Sequence, residues 1–152
     1  MTDPSTGTFV YVTHIAASPA EVWEALLNPE FTRRFWQGRV MDSDWRVGSK
    51  ITFRLVDDDL VESTGTVLTA DAQRTLSFVT TDHDGRDSTV TFDLVANGDV
   101  VALTVTHTGL DTASSMFRLV SNGWSLVMCN LKTLLETGRI LPMPESLPFA
   151  YR

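Results

Sequence analysis

The sequence is poor in cysteine and in positive charge. Among 152 residues there is one cysteine, Cys129, which cannot form an internal disulfide. A reducing compartment fits this composition, and we expect the protein to be cytoplasmic. Twelve basic residues against 19 acidic ones give a net charge of −7. Nucleic acid and an anionic membrane surface are therefore not expected as partners.

Long apolar runs are also missing. No run approaches the roughly 18 residues that a membrane-spanning helix needs. The first residues, Met1–Phe9, carry neither the basic segment nor the apolar segment of a signal peptide, so none is expected. We predict that residues 1–7 form a flexible leader.

The motifs of common catalytic and cofactor sites are absent from the sequence. It has no Gly-x-Ser-x-Gly nucleophile elbow, no Gly-x-Gly-x-x-Gly and no phosphate loop. It also lacks the paired His-x-x-His or Glu-x-x-His spacing of metal ligands. The acidic stretches 57–59 and 82–87 are interpreted as solvated hairpin turns, because the glutamate that ends a calcium loop is missing. No cofactor and no metal are predicted.

A long amphipathic stretch near the C-terminus, residues 112–138, is the most prominent feature that is present. Its apolar residues recur at the helical period for about seven turns, which predicts one long helix ending at Gly138. The predicted buried face comprises Ala113, Met116, Phe117, Val120, Trp124, Val127, Leu131, Leu134 and Leu135. The opposite face comprises Arg118, Asn122, Ser125, Cys129, Lys132 and Glu136.

The N-terminal part predicts a strand followed by two short helices. Phe9–Ile15 is rich in β-branched and aromatic residues, as strands are. Ser18 and Glu21 have the spacing of a capping box around Pro19, which predicts a helix over Pro19–Leu27. A second short helix follows Asn28 and Pro29 and runs through Phe35. Two helices joined so closely form a V that is suited to closing one end of a sheet.

From Gly38 onward the apolar residues alternate with polar ones, with turn residues between the segments. This pattern predicts an antiparallel meander of about six strands. We therefore predict an α+β fold in which a curved antiparallel sheet of six to seven strands surrounds the long C-terminal helix. The first and last strands are expected to be neighbours. One domain over residues 8–140 and an extended C-terminal tail over residues 141–152 complete the prediction.

This order of elements, with particular residues at its joints, resembles the helix-grip proteins of the SRPBCC or START-like superfamily. The closest branch is the activator of heat-shock-protein-90 ATPase homologue. The matching segments are Ser18–Leu26, Phe31–Trp36, Ser43–Ser49, Leu103–His107, Asn122–Trp124 and Leu131–Glu136. The resemblance implies a deep cavity between sheet and long helix that takes apolar or amphipathic small molecules. Its members include carriers, cyclases and the chaperone activator, so fold alone does not decide function.

Residues predicted to face this cavity are mainly aromatic and apolar. The candidate ligand-binding residues are Trp36, Phe53, Phe78, Phe92, His107, Val120, Gly123, Trp124 and Val127. The alternative interpretation is that these side chains simply form the core. Polar side chains expected near the mouth are Thr69, Thr80, Glu62 and Arg54.

Histidines are the remaining candidates for chemistry. His107 ends the apolar face of the last strand, so it can either serve a ligand as a hydrogen-bonding or acid–base group or be satisfied by protein groups. No catalytic residue is assigned beyond this candidate. His14 shares a face with Val10 and Val12, and His83 lies in an acidic turn where solvation is expected. Gly123, in mid-helix, indicates close approach to either a strand or a ligand.

The leading functional hypothesis is binding of an apolar or aromatic small molecule between the sheet and the long helix. One alternative is a cyclase, dehydratase or hydrolase that uses His107 in the same cavity. The other is a protein-interaction module like the chaperone activator. The protein is expected to be a monomer or a homodimer.

Overall fold

The computed structural model describes residues 6–57, 59–81, 85–111 and 115–142. Within these residues the structure has seven strands and three helices, which confirms the predicted α+β helix-grip architecture. Strand β1 spans Thr6–Ile15, so it begins slightly before the predicted domain boundary. Predictions for residues 1–5 and 143–152, for His83, for Ala113 and for the side chains of Met116, Phe117 and Arg118 lie outside the described residues.

Two short helices follow β1 as predicted. Helix α1 spans Pro19–Leu27, and its capping box is complete: the Ser18 hydroxyl accepts from the Glu21 N–H, and the Glu21 carboxylate accepts from the Ser18 N–H. Helix α2 spans Pro29–Phe35 and is capped by the Asn28 side chain. The two helices pack on each other and against neighbouring elements of the sheet.

Six further strands form the meander that the alternating pattern predicts. They are β2 (Arg39–Asp42), β3 (Lys50–Leu55), β4 (Leu60–Asp71), β5 (Thr75–Thr81), β6 (Asp87–Asn97) and β7 (Val100–Asp111). All pairs are antiparallel, and the sheet order is β1-β7-β6-β5-β4-β3-β2. The predicted neighbourhood of the first and last strands is thereby confirmed.

Two irregularities in β4 break the simple alternation. Phe53 pairs with Ser63 and Arg54 pairs with Val61, so Glu62 is the extra residue of a β-bulge. A second register shift, between Val67 and Thr69, interrupts the pairing of β4 with β5. Bulges bend a strand and re-aim the side chain of the extra residue. The first of them determines where the Glu62 carboxylate lies.

A glycine in β4 lets the aromatic core approach the sheet closely. A Cβ atom added to Gly65 would lie 2.3 Å from the Val79 carbonyl oxygen and 3.1 Å from Cε2 of Phe53. The first distance is to a backbone atom that cannot move aside. Any side chain here would therefore push the ring of Phe53 or the neighbouring strand away.

Helix α3 spans Ser115–Thr137 and crosses the sheet. Of the predicted stripe, Val120, Trp124, Val127, Leu131 and Leu134 are buried, together with Met128, whereas Leu135 is only partly buried. The helix stops at Gly138, whose φ of +76° is a left-handed conformation that favours glycine. These side chains join the apolar face of the sheet in a single core.

One buried polar residue of α3, Asn130, holds three parts of the chain together. Its side-chain amide N–H donates to the Phe35 carbonyl at 3.1 Å, and its oxygen accepts from the Leu141 N–H at 2.7 Å. Arg34 adds a bond to the Gly138 carbonyl at 3.1 Å. The end of α2 and the segment after α3 are thus fixed to the long helix.

Side chains of α3 also reach the end of edge strand β1. The Lys132 ammonium donates to the His14 carbonyl at 2.6 Å, and the Glu136 carboxylate accepts from the Ala16 N–H at 2.8 Å. Cys129 lies 3.4 Å from the Tyr11 hydroxyl. Cys129 therefore faces edge strand β1, where its thiol is partly buried, rather than the exposed side of the helix on which the sequence pattern placed it. The backbone groups at this end of the strand are satisfied by charged side chains rather than left open.

Candidate functional site

A cavity of about 60 Å³ lies between the sheet and α3. Strands β3 to β7 line it from one side, Trp124 of α3 from the other, and the segment after α2 closes one edge. Its lining residues are Trp36, Arg39, Phe53, Glu62, Ser63, Phe78, Thr80, Val90, His107 and Trp124. The wall therefore combines four aromatic rings and one valine with five polar or charged side chains that converge on the same space.

A continuous row of aromatic rings lies between the sheet and the helix. Measured between ring centroids, Phe53 lies 5.6 Å from Phe78, and Phe78 lies 6.2 Å from Phe92. The centroids of Phe92 and Trp124 are 5.6 Å apart, and these two rings meet edge-on. Trp124 then contacts Trp36 at 5.3 Å. These tilted and edge-on geometries are favourable for aromatic pairs. The rings fill much of what the resemblance implies to be a deep cavity.

The volume that remains limits what can bind without rearrangement. About 60 Å³ is several times the ~15 Å³ that one water molecule needs. It is well below the roughly 300 Å³ at which pockets for drug-sized ligands begin. A ligand larger than a few atoms must therefore displace part of the wall.

A sharp turn after α2 brings two functional side chains to the cavity. Gln37 and Gly38 have φ values of +52° and +82°, and the Arg39 N–H donates back to the Trp36 carbonyl at 3.1 Å. A left-handed conformation is uncommon for a residue such as glutamine. The turn places the Arg39 guanidinium over the Trp36 ring, with Cζ 5.8 Å from the ring centroid, which is a cation–π contact.

Arg39 forms a buried ion pair with Glu62 in the cavity wall. Its Nε donates to Oε2 of Glu62 at 2.7 Å, and its Nη2 donates to the same oxygen. The two side chains are only 7% and 16% exposed. Removing one partner of such a pair leaves a buried charge unbalanced and is strongly destabilising.

The indole N–H of Trp36 is the unexplained polar group of this site. Trp36 is 4% exposed, and its Nε1 has no hydrogen-bond partner among the described residues. Other buried side-chain polar groups in the described part of the chain are satisfied. A buried donor without a partner costs about 1–3 kcal/mol. An acceptor supplied from outside the protein would recover that free energy.

His107 is held in one protonation state by two protein partners. The Trp124 indole N–H donates to its Nδ1 at 3.0 Å, and since an indole nitrogen can only donate, Nδ1 must accept. The proton of the neutral ring is then on Nε2, which lies 2.7 Å from the Ser88 hydroxyl oxygen. Burial lowers the pKa of His107 to about 4, so the ring is neutral near pH 7.

The structure brings part of the predicted set to the cavity wall. Trp36, Phe53, Phe78, His107 and Trp124 line the cavity, and so do Glu62 and Thr80 from the predicted mouth. Phe92, Val120, Gly123 and Val127 are buried between sheet and helix but are not among the residues lining this cavity. Arg54 instead bonds Asp42 at 2.9 Å in a partly exposed pair.

Sequence reasoning missed Arg39 and Ser88. Arg39 follows a turn rather than an apolar pattern, so its burial has no periodic signal in the sequence. Ser88 reaches His107 only through the pairing of β6 with β7, which the sequence does not give residue by residue.

Two further properties of the described residues concern metal binding and membrane spanning. Among the described residues, no group of three His, Cys, Asp or Glu side chains is placed to hold a metal ion. None of the helices described is both long and apolar enough to cross a membrane.

Similar folds occur among solved structures. CalU16 of Micromonospora echinospora is 23% identical, with a TM-score of 0.71 over 91% of this chain and 83% of that one. An HSP90 activator of Plasmodium falciparum is 17% identical, with a TM-score of 0.71 over 85% and 96% of the two chains. The Aha1 dimer of Colwellia psychrerythraea is 19% identical, with a TM-score of 0.70 over 87% and 98%. At such identities the likeness concerns the fold.

Comparison at the level of sequence gives the family. A search of curated proteins found no relative of this chain. The sequence model of the family described as "Activator of Hsp90 ATPase homolog 1-like protein" matches residues 16–136, from the end of β1 almost to the end of α3. The chain belongs to this family of Activator of Hsp90 ATPase homolog 1-like proteins.

Proposed function

We propose that the protein binds a small apolar or aromatic molecule that carries a hydrogen-bond acceptor, in the cavity between the sheet and α3. The observation that carries this proposal is the buried indole N–H of Trp36, which has no partner among the described residues. Trp36 belongs to a wall in which three further aromatic rings and one valine meet five polar or charged side chains. An apolar pocket with a few convergent polar groups is the usual form of a small-molecule site.

The size of the cavity defines the ligand further. A cavity of roughly 150 Å³ accepts benzene, which is more than the about 60 Å³ present here. An aromatic ligand must therefore displace a wall side chain on entry. Glu62 is one such side chain, since it is 16% exposed and can reach solvent.

The experiment is a thermal-shift screen of apolar and aromatic metabolites, supported by native mass spectrometry of protein purified without denaturation. Binding to the folded state raises the melting temperature. Trp36→Phe keeps the aromatic ring and removes the N–H donor, so we expect about tenfold weaker binding. Trp45→Phe is the matched control, because Trp45 packs against the core but does not line the cavity. Equal ligand shifts in both variants would contradict the proposal.

A second candidate is regulation of a chaperone ATPase, which the family description favours. Its test is the ATPase rate of Hsp90 with and without this protein. Stimulation that survives Trp36→Phe would assign that activity to a surface other than the cavity.

The enzymatic alternative would need His107 to give up a protein hydrogen bond, since both its ring nitrogens are engaged. A reaction rate that follows a histidine pKa and is lost in His107→Gln would support it. The cytoplasm as the compartment, and a monomer or homodimer as the assembly, remain predictions.

A further inference from the structure

The ion pair in the cavity wall is not in the strongest geometry available to its partners. Two nitrogens of Arg39, Nε and Nη2, donate to the same oxygen, Oε2 of Glu62. The preferred arginine–carboxylate arrangement uses two parallel bonds, one to each oxygen. A second carboxylate of better fit could therefore compete for the same guanidinium.

Glu62 is also the partner that can leave. It is the extra residue of the β3–β4 bulge, so no residue of β3 lies opposite it. Its backbone neighbours Leu60 and Val61 are about half exposed, and Glu62 is the less buried member of the pair. Rotation of this side chain toward solvent would hydrate its carboxylate and open the wall beside Ser63.

Arg39, by contrast, stays in place. The turn at Gln37 and Gly38 holds it over the Trp36 ring, and it lies deeper than Glu62. The guanidinium and the Trp36 ring that carries the unpartnered N–H thus belong to one wall of the cavity. Cζ of Arg39 lies 5.8 Å from the centroid of this ring, a separation that one acidic group with two oxygens can span.

From this geometry we infer that the ligand is a small apolar monocarboxylic acid whose carboxylate replaces Glu62 on Arg39 and also accepts from the Trp36 N–H. This inference rests on the proposed function and names the class of its ligand. The exchange substitutes one carboxylate for another, so no buried charge is left unbalanced. A neutral ligand leaves the ion pair closed and gains only the bond from Trp36.

The test compares acids with their uncharged isosteres. Binding of benzoate and benzamide, and of the smaller pair propionate and propionamide, is measured by calorimetry and by thermal shift near neutral pH. We expect the wild-type protein to prefer each acid at least tenfold over its amide. In Glu62→Gln the competing carboxylate is gone, and we expect the acids to bind at least tenfold more tightly while the amides are unchanged.

Two variants control for folding and for general charge effects. Arg39→Lys keeps the charge but loses the two-pronged donor, so the preference for acids should fall to less than threefold. Asp42→Asn removes the carboxylate of the Arg54 pair, which does not line the cavity, and should leave acid binding as in the wild type. If Glu62→Gln lowers the melting temperature, benzoate must restore it and benzamide must not.

The outcomes distinguish a failure of the carboxylate exchange from a failure of small-molecule binding. Equal binding of acid and amide, unchanged in Glu62→Gln, overturns the exchange but leaves small-molecule binding standing. Acid binding strengthened equally by Asp42→Asn overturns the assignment to Arg39. Binding of none of the four probes to the wild type or to Glu62→Gln overturns the assignment of the ligand class, and the metabolite screen then decides on small-molecule binding.

Discussion

At the scale of single residues, His107 shows how a titratable group can be made inert by its neighbours. Trp124 donates to Nδ1, and the Ser88 hydroxyl faces Nε2, so three elements meet at one ring. Protonation would place a hydrogen on Nδ1, the second on the ring, facing the indole N–H. The contact with Trp124 would then turn from a hydrogen bond into a repulsion.

This arrangement predicts a pH-dependent stability. The native pKa of about 4 is below the ordinary 6.5, so between these values the unfolded chain binds more protons than the native protein. The contribution to the free energy of unfolding is complete above pH ~6.5 and is lost as the pH falls toward 4. In urea titrations we expect the wild type to lose about 2 kcal/mol between about pH 7 and about pH 5 through His107.

His107→Gln is the matched variant, since an amide can accept from Trp124 and donate to Ser88 without titrating. Exposed carboxylates titrate in both proteins and cancel in the comparison. Asp44, whose pKa is lowered by the Ser49 hydroxyl, and Glu136, whose pKa is lowered by the Ala16 N–H, are examples. An equal loss in variant and wild type would show that His107 is not the group responsible.

The surroundings of His107 were predictable from the sequence only in part. Alternation along the last strand correctly placed His107 on the inward face, because a period of two is visible in Leu103 and Val105. Its partners were not predictable. They depend on the β6–β7 register and on the rotation of α3, which tertiary packing determines.

At the scale of elements, Asn130 joins α2, α3 and the segment that follows α3. Truncation to alanine would leave the Phe35 carbonyl and the Leu141 N–H without their partner in the interior. For Asn130→Ala we expect a loss of about 2–3 kcal/mol in the free energy of unfolding, measured by urea titration. Asn122→Ala on the exposed face of the same helix should cost nothing, because alanine is the better helix former. Equal effects at both positions would contradict the role of the buried amide.

The elements themselves were largely predictable. The capping box of α1, the period of α3 and the alternation of the strands are local signals, and the structure follows them. The bulge at Glu62 was not predictable, because no residue type in the sequence identifies the one that is inserted. The turn at Gln37 and Gly38, which sets the position of Arg39, was not predictable from the sequence either. Glu62 and Thr80 were thus predicted near the mouth, but Arg39 and its ion pair with Glu62 were not.

At the scale of the whole molecule, the sheet and α3 share one core, and α1 and α2 are fixed to it. We therefore predict a single cooperative unfolding transition. Urea curves followed by far-ultraviolet circular dichroism and by tryptophan fluorescence should superimpose. Distinct midpoints for the two probes would show that the helices and the aromatic core unfold separately.

The pair of indole rings at the cavity has an optical consequence. Trp36 and Trp124 lie 5.3 Å apart with their planes inclined by 51°. Two identical chromophores this close and not parallel couple their strong electronic transitions, which produces a paired signal in the far-ultraviolet circular dichroism. Any molecule that enters beside Trp36 alters their separation or tilt. The protein therefore carries its own label-free reporter for occupancy of its interior.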